Sequence, residues 1–140
     1  MKQIFCQILA LLVLSKSAFS NPPKNSSQII LFYNSLSPCS NCQQITQQII
    51  QIISQNYTPK DFQFYLINLK YQPHYINLYH LSSPLNLVLI SYYDGFYNGY
   101  KKINYSILNQ QDIISLSKNL KSSINNFFNL PTINYQKISN

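Results

Sequence analysis

Ile29-Ile30-Leu31-Phe32-Tyr33-Asn34-Ser35-Leu36-Ser37-Pro38-Cys39-Ser40-Asn41-Cys42 is the stretch around which the rest of the chain can be read. Ile29 to Tyr33 is a continuous apolar run, which suits a strand covered on both faces. A short polar turn follows, then two cysteines with two residues between them, then Gln43-Gln44-Ile45 leading into a helix. That order predicts a helix beginning near Cys39, with both sulfurs in its first turn at the C-terminal edge of a sheet. Backbone N–H groups there have no intrahelical acceptor and the helix dipole is positive, so a thiolate is favoured over a thiol. A cysteine so placed titrates one or more units below its free value of ~8.5 and becomes a nucleophile near neutral pH. Cys39 is then the attacking thiolate and Cys42, one turn on and facing the core, resolves the mixed disulfide. Ser40 and Asn41 set the redox poise between them.

The chain has 140 residues, enough for one domain. Its first twenty residues read as a secretory signal peptide. Lys2 opens a short charged region, Ile4 to Leu14 is almost wholly apolar, and Ala18-Phe19-Ser20 offers small residues at a cleavage site. The stretch is too short for a stable membrane span, although an uncleaved anchor is the rival reading. Residues 21–28 form a polar, flexible leader, residues 29–128 the domain and residues 129–140 a polar tail after Pro131. The expected location is the exterior, a periplasm or an endomembrane lumen, with no membrane association once the signal is removed.

Cleavage would take Cys6 away and leave Cys39 and Cys42 as the one sulfur pair. A bridge over two intervening residues constrains the unfolded chain little, so a purely structural role is poorly motivated. Exchange with protein thiols or disulfides, through a redox partner protein, is the better use, and it calls for no cofactor. The formal charge is +7, from ten lysines against Asp61, Asp94 and Asp112. Without Lys2 and Lys16 it becomes +5. The lysines are scattered and no arginine is present to grip phosphate bidentately, so nucleic acid is excluded as a partner.

Further along, Cys42, Ile45, Ile49, Ile52 and Ile53 recur at helical spacing, giving a helix to about Gln55 with Gln residues on its wet face. Phe62 to Asn68 reads as a second strand, and Pro73 opens a short helix with Ile76, Leu78, Tyr79 and Leu81 on its apolar side. Leu85 to Tyr92 is a third strand. Asp94-Gly95 is a hairpin turn into a fourth around Tyr97 to Ile103, with Asn98-Gly99 either a bulge or the true turn. Asn109 and Asp112 cap a last helix whose buried stripe is Ile113, Leu116, Leu120, Ile124 and Phe127. The alternation implies an α/β fold: a central mixed four-stranded sheet with helices on both faces.

From about Gln28 to Phe128 the chain resembles the thioredoxin superfamily, with Cys39-Ser40-Asn41-Cys42 at the redox motif. Within it, Ile67-Asn68-Leu69, Leu87-Val88-Leu89-Ile90, Asp94-Gly95 and Leu108 to Phe127 look most like the small thioredoxin-like family called nitrophenyl compound nitroreductase subunit ArsF. The resemblance implies a thioredoxin-like fold and thiol–disulfide oxidoreductase activity. It also implies a cis-proline before the third strand, at a position that falls on Pro84 or on Leu85. Two departures stand out. Tyr33 occupies the place of a buried acid that assists proton transfer, and Pro38 replaces the aromatic residue common before the first cysteine.

Two other readings use the same residues. Cys39 and Cys42 with His74 or His80 would supply thiolate and imidazole ligands for copper or zinc. Alternatively the scaffold is a protein-binding module with idle cysteines, offering Tyr71, Tyr75, Tyr79, Tyr92, Tyr93, Tyr97 and Tyr100 as an amphipathic surface.

Overall fold

A computed structural model of the chain describes residues 26–110 and 112–130. The expected signal peptide, most of the expected leader and the expected tail beyond Leu130 lie outside the described residues.

The elements follow in the order β1 (Gln28–Tyr33), α1 (Cys42–Asn56), β2 (Gln63–Asn68), α2 (His74–Tyr79), β3 (Leu85–Tyr93), β4 (Phe96–Ile103), α3 (Tyr105–Leu108) and α4 (Ile113–Phe128). The four strands form one sheet in the order β2-β1-β3-β4. β1 runs parallel to β2, from Gln28↔Gln63 to Tyr33↔Asn68, and antiparallel to β3, from Gln28↔Ile90 to Tyr33↔Leu85. β3 and β4 are antiparallel. The fold is α/β and thioredoxin-like.

Both faces of the sheet are covered, and the pleat of β1 shows why its sequence is apolar throughout. Successive side chains of a strand point to opposite faces. Ile29 and Leu31 face one layer, where Leu85, Leu87, Leu89 and Ile103 meet Ile45, Ile49, Ile52 and Ile53 of α1 and Leu116, Leu120 and Ile124 of α4. Ile30 and Phe32 face the other, with Tyr65, Ile67, Val88 and Ile90 and the α2 residues Tyr75 and Tyr79.

Two predicted stripes are corrected here. In α2 the buried residues are Tyr75 and Tyr79, whose rings lie 5.0 and 5.9 Å from that of Phe32, while Leu78 is 55% exposed. The helix has six residues, so only one narrow face reaches the sheet. In α4 Leu116, Leu120 and Ile124 are fully buried, whereas Ile113 is 40% exposed because it sits in the first turn, before the helix crosses the core.

The β3–β4 hairpin turns at Asp94-Gly95, where both residues have positive φ, 54° and 82°, as a two-residue turn matched to strand twist requires. Asn98-Gly99 is a bulge. Ser91 pairs with Gly99 and Tyr92 with Tyr97, leaving Asn98 as the extra residue, and Gly99 has φ 120°.

Candidate active site

Tyr33, Asn68 and Leu85 stand side by side at one edge of the sheet, where β1 and β2 end and β3 begins. The loop leaving Tyr33 is shaped by its own polar groups. Asn34 Oδ1 accepts from Leu36 N at 2.9 Å, Ser37 N donates to Asn34 O at 3.0 Å, and Ser35 N donates to Asn68 Oδ1 at 3.3 Å. Pro38 then fixes the approach to Cys39.

Cys39 and Cys42 are joined as a disulfide, with Cα atoms 5.4 Å apart. Both are partly exposed, and Ser40 between them is exposed. The helix begins at Cys42 rather than near Cys39, so the predicted start moves by three residues. Cys39 precedes the helix, Ser40 and Asn41 form a turn, and the first helical bond runs from Ile45 N to Asn41 O at 3.0 Å. The start falls here because Asn41, at φ −112° and ψ 6°, is not helical, and its side chain is spent elsewhere than on a cap. Cys42 packs against the α1–α4 layer and Cys39 sits over the positive end of α1.

Asn41 Nδ2 donates to Asn109 Oδ1 at 2.7 Å, which leaves its Oδ1 3.5 Å from Cys39 Sγ. The Tyr105 hydroxyl lies 3.9 Å from the same sulfur. Tyr105 reaches it because β4 ends at Ile103, opposite Leu87, on the sheet edge that also carries Tyr33 and Leu85. Neither Tyr105 nor this use of Asn109 was expected. Asn109 terminates α3, its N–H donating to Tyr105 O at 2.8 Å, while Asp112 alone caps α4, its Oδ1 accepting from Ile114 N at 3.1 Å. The available signal was topological: the segment after an edge strand returns to the edge where the cysteines sit.

The peptide bond before Pro84 is trans, and no cis bond occurs among the described residues. The trans form is the lower-energy state of an X–Pro bond by about 0.5–1 kcal/mol. Leu85 is a fully buried core residue paired with Tyr33. Burial holds the Tyr33 phenol above its ordinary range, an effect opposed by a hydrogen bond from Asn68 and reinforced by Tyr71.

The metal reading loses its third ligand. Among the described residues no three His, Cys, Asp or Glu side chains converge to hold an ion. His80 ends α2, exposed and in a left-handed conformation, and its carbonyl accepts from Lys102 Nζ. His74 lies against the ring of Tyr75. The expected tyrosine surface also divides: Tyr75 and Tyr79 are core, while Tyr71, Tyr93 and Tyr97 are exposed. Among the described residues no helix is long and apolar enough to cross a membrane.

Compared with solved structures, the chain superposes on the Trx4 domain of ERdj5 with a TM-score of 0.54 at 10% identity, over 79% of this chain and 90% of that one. Mitochondrial thioredoxin 3 from Saccharomyces cerevisiae, in its oxidized form, matches with a TM-score of 0.47 at 20% identity, over 71% and 81% of the two chains. Trichomonas vaginalis thioredoxin matches with 0.48 at 20% identity, over 86% and 90%. No family model matches the chain, and no curated protein matches it. The likeness is one of fold.

Proposed function

We propose that this protein is a thiol–disulfide oxidoreductase that acts on protein thiols or disulfides through Cys39 and Cys42. The observation that carries the reading is the Cys39–Cys42 disulfide itself, partly exposed and set at the N-terminus of a 15-residue helix. Cys39, outside the helix, is the sulfur a partner attacks. Cys42, packed against the core, resolves. In the oxidising direction a partner thiolate attacks Cys39 Sγ, the Cys39–Cys42 bond breaks, and Cys42 leaves as thiolate. A second partner thiolate then closes the partner's disulfide and releases Cys39. Two electrons pass to the protein, and the reverse sequence returns them.

Export to an oxidising compartment is part of the proposal and rests on residues 1–20. The narrower family likeness rests on Asn68, Asp94-Gly95 and their neighbours and adds no chemistry to it.

Equilibration in glutathione buffers followed by thiol trapping tests the reading. The expected result is a reversible two-electron couple confined to Cys39 and Cys42, between about −120 and −300 mV. In Cys42→Ser, Cys39 should hold partner proteins as stable mixed disulfides. A protein that shows no transition in that range is not an exchange enzyme.

A further inference from the structure

We infer that the Tyr105 hydroxyl is the donor that holds negative charge on the Cys39 sulfur during exchange, an inference that rests on the proposed function. In the oxidising direction Cys39 leaves as a thiolate when the partner's disulfide closes, and in the reverse direction it attacks as a thiolate. A group favouring that anion therefore bears on one step in each direction. The usual candidates are committed elsewhere. Asp61 accepts from Thr58 N at 2.9 Å, Asp94 forms the hairpin turn, and Asp112 caps α4. Tyr33, in the place of the expected acid, is engaged with Asn68.

Among the described residues two side-chain polar groups reach Cys39 Sγ: Asn41 Oδ1 at 3.5 Å and the Tyr105 hydroxyl at 3.9 Å. Among the described residues the titratable groups against it are Cys42, by the bridge, and Tyr105. A disulfide sulfur carries lone pairs and no proton, so of these two groups only the hydroxyl can donate. The same holds for the thiolate, where a bond to a charged acceptor is stronger. Asn41 Oδ1 has the opposite preference, since it can accept from a thiol but faces a thiolate lone pair to lone pair. Tyr105 therefore supplies the stabilisation that the motif's own asparagine withholds. No proton is transferred and the electron balance of exchange is unchanged.

The ring of Tyr105 packs against the α1–α4 layer, so Tyr105→Phe removes the hydroxyl and keeps the packing. Alkylation of Cys39 by iodoacetamide is followed against pH in the reduced full chain, with Cys39 read by peptide mass. The expected result is a pH–rate profile displaced upward by about half a unit to one unit, which is about three- to tenfold less thiolate below the midpoint. Superposable profiles overturn the inference. A second measurement needs no substitution: the Tyr105 Cζ resonance of the wild-type protein should inflect at the midpoint of Cys39 titration, and its failure to do so also overturns the inference. Both readouts report the donor alone, whereas the glutathione couple reports exchange, so either idea can fail without the other.

Discussion

Asn41, inside the cysteine motif, and Asn109, four residues before α4, are tied side chain to side chain by a 2.7 Å bond across 68 residues of sequence. The bond decides which end of the Asn41 amide the sulfur sees. With Nδ2 engaged, Oδ1 is the atom turned toward Cys39. Asn109 thus acts on the cysteine without touching it, as a positioning residue.

Releasing that amide should lower the pH at which Cys39 becomes nucleophilic. In Asn109→Ala the Asn41 side chain is free to turn Nδ2 toward the thiolate. The alkylation profile should move down by about half a unit, opposite in sign to Tyr105→Phe. Displacement in the same direction for both variants would contradict this assignment of the amide.

Leu108 anchors the short helix that presents Tyr105 and Asn109, and it is fully buried. Leu108→Ala should cost about 2–5 kcal/mol by urea denaturation, through lost transfer energy and the cavity left behind. The same variant should loosen both contacts to the motif, so Cys39 alkylation in the folded protein should change as well. Intact alkylation with lowered stability would show that α3 holds its position without this anchor.

Alkaline pH should unfold the protein by way of α2. Burial pushes the Tyr79 phenol up to about 12, helped by the charges that would form on Tyr75, Tyr97, Tyr92 and Tyr100. In the unfolded chain it ionises near 10, so above that pH the unfolded state binds fewer protons and stability falls as pH rises. The loss should run from about pH 10 to about 12, with the phenolate absorbance and circular dichroism changing together. Tyr79→Phe should flatten the decline. A phenolate band that develops ahead of any loss of structure would count against the link.

The two glycines of the β3–β4 hairpin should differ in tolerance. An added Cβ meets nothing within 4 Å at either, so the cost is purely conformational. Gly95, at φ 82°, lies near the left-handed region, and Gly95→Ala should cost about 1 kcal/mol. Gly99, at φ 120°, lies further from any region open to alanine, and Gly99→Ala should cost more. Equal denaturation midpoints for the two variants would mean that the bulge relaxes.

The sheet was legible because its signals are local. Ile29 to Phe32 is apolar at every position, which a one-sided strand would not be, and Asp94-Gly95 names its own turn. The α1 and α4 stripes repeat at helical spacing over several turns, and only the first-turn Ile113 misled. A six-residue helix carries less than two turns of periodicity, so Leu78 and Tyr75 exchanged places.

The cysteine pair could be read from its spacing, but its surroundings could not. Tyr105 is one of twelve tyrosines in a chain where composition inflates that residue, and it meets Cys39 across 66 positions. Asn109 looked like a cap because it stands just before a helix, and local pattern carries no trace of a distant amide. What a loop residue does depends on which sheet edge the chain has returned to.

The bridge between Cys39 and Cys42 ties together only one turn of backbone, while every strand and both apolar layers lie outside its loop. Opening it therefore frees almost no chain. Under the proposed exchange the oxidised and reduced domains would keep nearly the same shape, so a partner would meet the same surface whichever way the electrons moved.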